Sequence, residues 1–481
     1  MTALVLGGGF AGLSAAIRLA LAGVAVTLIE QLPELGGKAG EFVQDAFRFD
    51  TGPSVFTLPP VVSDIFAAAG ESLPIRFIPL EPLCRYLFPS GFAWDVYRDV
   101  GKTTAQLSKR DAKAYRDLLD EARRLYEGAA PTFVMGAAPG PPALLRYALR
   151  HGLQAHPART LPQLLARFNP GPELTQFFLR FATYLGANPY RAPAILHNVA
   201  WVELGLGAYY PHGGVKGVVR GLEALARRLG VTAHVGVTVK RLVVKGDRLS
   251  EVITDHGSFR AEAVISALDI VRTHELLGRV TPLASREPSL SGFVLLLGVA
   301  GETPQLVHHT ISFTADYPAE FAAIARGQPP QDPTLYLSLS CKSDTEQAPA
   351  GCENWFVMAN APALRPGDDW SATGPAYAEY LLHVLDQRGL AVRERLRFSA
   401  HRTPQDLARL GHRGSIYGSA PHSLMTTLRP RQTLPGLRNL VLAGGTVHPG
   451  GGIPLALLSG QQAARLVLRC LPGANSGLAR A

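Results

Sequence analysis

Leu4-Val5-Leu6-Gly7-Gly8-Gly9-Phe10-Ala11-Gly12 opens the chain; an apolar run continues through Leu21, Val24-Ala25-Val26-Thr27-Leu28-Ile29 follows, and a lone acid, Glu30, closes the stretch. Apolar strand, glycine turn, apolar helix, second strand and terminal carboxylate form the order of a dinucleotide-binding βαβ unit. Gly7 permits the tight turn, Gly9 keeps side-chain atoms away from a pyrophosphate, and Gly12 lets the helix pack closely on the strand. The helix N-terminus then offers unpaired N–H groups and the positive end of its dipole to phosphates. Glu30 stands where a carboxylate can accept both ribose hydroxyls, and it would repel a 2′-phosphate, which disfavours NADP. An ordinary βαβ turn would leave Glu30 without a purpose.

Beyond this unit, 481 residues exceed one ordinary hydrophobic core, so two or more intertwined subdomains are expected. With 47% hydrophobic and 18% charged residues, disorder is excluded for most of the chain. Cys84, Cys341, Cys352 and Cys470 form no C-x-x-C pair; they suit a reducing cytosol, oppose a zinc site and read as buried, unpaired thiols. His308 and His309 are adjacent, and neighbours on a strand point to opposite faces, which opposes joint metal ligation. No metal ligand is assigned.

Residues 3–29 are apolar enough to imitate a membrane span or a signal peptide. No basic segment precedes them, however; glycines occupy the middle, and Arg18 interrupts the helix. Gly292 to Ala300 is too short to span. A cytoplasmic protein, peripheral on the inner face of the cell membrane, is therefore expected. The net charge of +9 includes arginines spread between Arg146 and Arg180 among leucine, phenylalanine and tyrosine. No nucleic-acid module accompanies them. Basic residues flanking an apolar helical face suit an anionic lipid surface, and the competing reading is a solvated basic face.

Further along, Leu35-Gly36-Gly37-Lys38-Ala39-Gly40 makes a turn whose backbone and cation can reach a phosphate or a flavin edge, followed by the strand-like Phe47-Arg48-Phe49. Residues 104–127 predict a solvated amphipathic helix, and the proline and glycine between Ala129 and Pro142 predict a loop or lid. A helix is expected over Val218 to Leu229, then strands over 231–239, a hairpin at Lys245-Gly246-Asp247 and a buried strand at 263–267 that could return to the N-terminal sheet. Gly292 to Ala300 and Thr334 to Ser340 read as strands of a separate sheet within 281–400. Leu440-Val441-Leu442-Ala443-Gly444-Gly445 is a strand into a glycine turn, and a helix is expected from about Leu455 to Leu468.

Together these segments resemble the carotenoid desaturase family, flavoproteins related to the bacterial phytoene desaturases and the wider amine oxidase-like group. The resemblance rests on the N-terminal unit, Gly36-Gly37-Lys38, Phe49-Asp50-Thr51-Gly52-Pro53 and Tyr209 to Gly214. It continues through His308-His309-Thr310 with Asp316-Tyr317 and through Asp332-Pro333-Thr334-Leu335-Tyr336. Its most specific part is Thr446-Val447-His448-Pro449-Gly450-Gly451-Gly452-Ile453-Pro454, a form typical of the bacterial carotenoid branch.

The resemblance implies an α/β fold: a Rossmann-type FAD-binding domain of the amine oxidase/phytoene desaturase type with an interleaved substrate domain of mixed sheet and helices. Residues 1–75, 196–280 and 401–471 are assigned to the FAD-binding domain, 76–195 and 281–400 to a substrate and membrane-associating domain, and 472–481 to a flexible tail. FAD is the implied cofactor. Gly7, Gly9 and Gly12 would face its pyrophosphate, with Phe10 and Ala11 beside them, and Glu30 its adenosine ribose. Lys38 stands where the family often has arginine, with Gly37, Gly52 and Pro53 nearby, and the Val239 backbone would meet the adenine. Gly444, Gly445, Gly452 and Ile453 would line the pyrophosphate, ribityl and ring side; Gly445 replaces the aspartate of many relatives, which puts a ribityl-carboxylate contact in doubt.

The implied reaction removes two hydrogens from a CH2–CH2 unit of a lipophilic carotenoid, passing a hydride to the flavin and losing a proton from the adjacent carbon. The polyene delocalises the developing charge, so no catalytic residue is assigned, and the electron acceptor is left open. Within the family the chain leans towards a 3,4-desaturase of a hydroxylated carotenoid, with phytoene desaturase and carotene isomerase as alternatives. An amine oxidase or a non-catalytic carotenoid carrier represents different classes.

Overall fold

The computed structural model describes residues 1–52 and 54–470. The Pro53 assignment and the tail assigned to 472–481 lie outside the described residues.

A five-stranded parallel sheet runs in the order Leu440–Leu442, Ala263–Ser266, Thr2–Leu6, Ala25–Ile29, Thr232–His234. Parallel sheets need cover on both faces, and the alternation of side chains along the central strand shows how it is supplied. Ala3 and Val5 pack under the helices Phe10–Leu21, Gly214–Arg228 and Ile453–Cys470. Leu4 and Leu6 face the opposite layer, which includes the helix Ile270–Leu276 and strands of an antiparallel sheet. That smaller sheet comprises Val239–Lys245, Arg248–Thr254 and Gly257–Phe259. Thus, of the strands expected over 231–267, Thr232–His234 and Ala263–Ser266 join the N-terminal sheet, while the hairpin turning at Gly246 stands apart.

The first and last helices meet directly. A Cβ at Gly460 would overlap the Ala11 carbonyl oxygen, so glycine is what allows the two backbones to come this close.

A second sheet of seven strands has the order Leu396–Arg402, Ser291–Ala300, Cys352–Ala361, Leu335–Ser338, His309–Ser312, Cys84–Leu87, Ala93–Val96. All its pairings are antiparallel except that of His309–Ser312 with Cys84–Leu87. The sheet expected within 281–400 is therefore extended by residues 84–96, a long-range pairing with no local sequence signature. Phe293, Leu295 and Leu297 pack beneath the helix Trp370–Gln387, while Val294 and Leu296 face the opposite side.

Other expectations need correction. The amphipathic helix expected over 104–127 runs instead from Lys109 to Phe133, with Tyr115 and Leu118 on its buried face. The loop or lid expected from Ala129 to Pro142 contracts to residues 134–140, because helix continues through Pro131 on one side and starts again at Pro141 on the other. All four cysteines are free, but only Cys84 is buried, and Cys470 is exposed.

His308 lies just before its strand, so strand alternation does not separate it from His309. Both rings turn inward with centroids 4.5 Å apart. Burial lowers His308 to about 3 and His309 well below the usual imidazole range. Among the described residues no group of three or more His, Cys, Asp or Glu is arranged to hold a metal, and no helix is long and apolar enough to cross a membrane.

Candidate functional site

One continuous cavity of about 1200 Å³ runs between the two large sheets. It exceeds the usual range for a single small-molecule pocket, roughly 300–1,000 Å³. One part is a glycine cradle. Gly7 adopts φ +97°, a conformation that favours glycine, and turns the chain from strand to helix. The helix Phe10–Leu21 begins at Gly9 with no side-chain cap and no acidic residue in its first turn, so its N–H groups remain available to an anion. Gly36 bridges to Gly9, and Gly37 approaches it so closely that a Cβ would sit 3.4 Å from the Gly9 Cα. A Cβ at Gly52 would overlap the Lys38 carbonyl oxygen, so glycine there lets the segment at Gly52 pack directly on this second turn.

Glu30 is buried at the edge of the cradle. Its Oε2 accepts from the Gly8 N–H at 2.6 Å and its Oε1 from the Leu32 N–H at 2.8 Å. Each carboxylate oxygen keeps a further lone pair, so the backbone orients the group without exhausting it. Lys38 lines the cavity, where its Nζ donates to the Ile416 carbonyl at 2.6 Å. Burial lowers its pKa, opposed by the field of Asp269. The C-terminal glycine turn completes the wall: Gly444 and Gly452 have positive φ, and a Cβ at Gly451 would overlap the Tyr417 ring.

Of the described residues assigned from sequence, all but one line this cavity: Gly7, Gly9, Phe10, Ala11, Glu30, Gly37, Lys38, Gly52, Val239, Gly444, Gly445, Gly452 and Ile453. The exception is Gly12. A Cβ there would overlap the Gly7 carbonyl oxygen, so Gly12 sits behind the turn and serves helix packing rather than ligand contact. An uncapped helix start, glycines that keep the wall to bare backbone and an acid at the adjacent strand end form a donor set suited to the pyrophosphate and ribose of FAD.

Past the cradle the cavity becomes an apolar chamber. Val294, Phe356 and Met358 come from the seven-stranded sheet, and Ile195, Leu196, Val199 and Val202 from the opposite wall. A charged cluster that no sequence motif announced interrupts it. Arg180, only 4% exposed, donates through Nη2 to Glu203 Oε1 at 2.6 Å and to the Tyr86 hydroxyl, while the Tyr184 hydroxyl donates to Glu203 Oε2. The guanidinium carbon lies 4.2 Å from the Phe181 ring centroid. Burial opposes the charge, yet Glu203 and the neighbouring phenols raise the Arg180 pKa well above its usual value. Nearby, the Tyr336 hydroxyl is 2.6 Å from Ser54 Oγ and 2.8 Å from His309 Nδ1. Ser54 belongs to the loop that follows Gly52, so this second polar group adjoins the cradle. Phe177, Phe178, Phe181 and Tyr184 around Arg180 were the available signal, since an arginine so enclosed by aromatics is rarely solvated.

The chamber reaches the surface near Ala148, Pro157 and Leu424, which are exposed lining residues. Beside them Leu145, Leu149 and Leu153 are 62%, 79% and 92% exposed, and Met425 is 75% exposed. Arg146, Arg150 and Arg159 are also exposed. Of the basic-apolar stretch read between Arg146 and Arg180, the exposed apolar part is thus confined to residues 145–153. Beyond it Leu161, Phe177, Phe178 and Phe181 are fully buried, and Arg180 is no surface cation.

The model of the flavin-containing amine oxidoreductases matches residues 10–295. The chain is 33% identical to a 4,4′-diapolycopene oxygenase of Methylomonas sp, over 95% of this chain and 96% of that protein. It is 30% identical to a 1-hydroxycarotenoid 3,4-desaturase of Flavobacterium sp. (strain P99-3), over 97% and 98%. Among solved structures, an oxidoreductase from Methanosarcina mazei superimposes with a TM-score of 0.68 at 16% identity, covering 96% of this chain and 99% of that one.

Proposed function

The chain belongs to the flavin-containing amine oxidoreductase family, within its group of carotenoid desaturases and oxygenases, and from that premise we propose that it is an FAD-dependent desaturase acting on a hydroxylated carotenoid at the 3,4 position. The observation that carries the reading is the joining of a glycine cradle and an apolar chamber in one cavity. When bound, FAD supplies the hydride acceptor.

The protein's own part is positional. Gly9, Phe10 and Ala11 present the helix N-terminus to the pyrophosphate, and Glu30 takes the ribose hydroxyls. Lys38 fixes the second turn through its bond to Ile416. Val294, Phe356 and Met358 hold the polyene and exclude water from the reacting carbons. In this reading residues 1–75, 196–280 and 401–471 carry the cofactor, and 76–195 with 281–400 carry the substrate; the membership of the two large sheets supports that division, apart from the crossing by Leu396–Arg402, whereas Leu196, Val199, Val202 and Glu203 lie on the chamber side.

A carotenoid starts in lipid, and exposing it to water would cost about 0.8 kcal/mol per CH2. Direct transfer from a membrane avoids that cost. The stripe of Leu145, Leu149 and Leu153, flanked by Arg146 and Arg150 beside the chamber opening, is the docking surface in this reading. Replacing Arg146, Arg150 and Arg159 by glutamine should weaken pelleting with anionic liposomes roughly a hundredfold, at about 1 kcal/mol per basic residue near the surface. Unchanged pelleting would refute this docking surface.

The reaction is tested by expressing the chain in cells that accumulate phytoene, lycopene or 1-hydroxylycopene and recording pigment spectra and masses. A red shift confined to the hydroxylated substrate, with loss of two hydrogens, is the expected result. Conversion of phytoene would assign an earlier desaturation. A gain of oxygen would instead support the oxygenase reading suggested by the 33% identical relative.

A further inference from the structure

We infer that Tyr184 and Glu203 form the part of the chamber that reads a hydroxyl group on the end of the polyene, so that the chain selects an alcohol over the corresponding hydrocarbon; this rests on the carotenoid reading above. In a chamber whose walls are largely aliphatic and aromatic carbon, the Arg180–Glu203 pair is a costly inclusion. Buried ion pairs add little net stability compared with apolar side chains of similar volume, so stability alone gives no reason for charge at this position.

The direction of each hydrogen bond identifies the ligand chemistry. Arg180 Nη2 donates to Glu203 and Tyr86, and the Tyr184 hydroxyl donates to Glu203. Arg180 Nε has no acceptor but is sealed from the cavity. What Tyr184 and Glu203 retain towards the chamber is acceptor capacity, namely the remaining lone pairs of the phenol and carboxylate oxygens. An alcohol can donate to them, whereas a hydrocarbon has no hydrogen-bond donor to offer.

The position is also suitable. The field of Glu203 reaches Tyr336, whose hydroxyl bonds Ser54 beside the cradle. A hydroxyl held by this cluster therefore sits in the same cavity as the cradle.

The test is a binding measurement on the FAD-loaded protein with its flavin kept chemically reduced, so that no turnover intervenes. 1-Hydroxylycopene and lycopene are offered separately in neutral lipid vesicles, the protein is captured through an affinity tag, and bound pigment is quantified by absorbance. The wild type should prefer the alcohol by about ten- to a hundredfold, the range of one hydrogen bond to a charged group. Tyr184→Phe, which removes a neutral acceptor and keeps the Glu203 carboxylate, should reduce the preference by roughly two- to tenfold and leave lycopene binding within about twofold. Glu203→Gln, which keeps the shape and removes the charge, should give an intermediate preference, and unchanged flavin content identifies both variants as folded. Equal binding of the two pigments by the wild type overturns the inference alone, as does a Tyr184→Phe variant that keeps the preference or loses both ligands together. A wild type that retains neither pigment overturns the inference and the carotenoid reading with it.

Discussion

Replacing Gly12 by alanine is expected to give a protein that purifies with less than roughly a tenth of the wild-type flavin, because the overpacking cost of about 1–3 kcal/mol falls on the turn that binds the pyrophosphate. The added Cβ overlaps the Gly7 carbonyl oxygen, which is backbone and has no rotamer with which to escape. Either the helix Phe10–Leu21 lifts from the strand or the Gly7 turn opens. Both movements take the N–H groups at Gly9 to Ala11 away from the anion they would bind. Flavin absorbance relative to protein absorbance measures the outcome. Gly217→Ala is the control: it also adds a methyl to a helical glycine, but the nearest atom is the His212 carbonyl oxygen at 3.4 Å, so flavin should be retained. Full flavin in the Gly12 variant would remove the packing argument for the whole cradle.

Glu203→Leu should destabilise the protein by about 3–5 kcal/mol, because it leaves the Arg180 guanidinium buried without its carboxylate. Arg180 keeps its bond to Tyr86 and its contact with the Phe181 ring, but neither carries a compensating charge. The double variant Arg180→Met/Glu203→Leu removes both charges and should recover most of the loss, since well-packed apolar replacements of buried pairs are often neutral. Urea unfolding followed by intrinsic fluorescence separates the cases. Equal destabilisation of the single and double variants would mean that lost packing, and not the stranded cation, is responsible.

The contrast between these two sites shows what a linear sequence reveals. Gly12 was legible because the glycine spacing, the apolar helix and Glu30 fall within thirty consecutive residues, and every constraint on them is local. The C-terminal glycine turn was legible for the same reason. The parallel pairing of Thr2–Leu6 with Ala263–Ser266 could be anticipated from a buried strand, but the recruitment of residues 84–96 into the seven-stranded sheet could not. Nothing in Cys84–Leu87 announces that its partner is His309–Ser312.

Arg180 illustrates a different loss. Counted as a basic residue it belonged with Arg146 and Arg150, yet tertiary packing divides that stretch after residue 160 into an exposed helix and a buried one. Charge composition records how many arginines are present, not which of them have carboxylate partners. The exposed group does carry a local signal, because Leu145 and Leu149, four residues apart, share one face of the helix Pro141–His151, and Leu153 follows just beyond its end.

The contact between the first and last helices has a consequence for biosynthesis. The strand Thr2–Leu6 is made well before its neighbour Ala263–Ser266, and the glycine at position 460 that seats against Ala11 is made later still. Until then the nascent N-terminal unit has an uncovered apolar helix and only part of its sheet. The cover of the first helix is therefore complete only once the last one is made, and a stop codon between the N-terminal unit and that helix would leave the dinucleotide motif in the sequence without the packing that seats it.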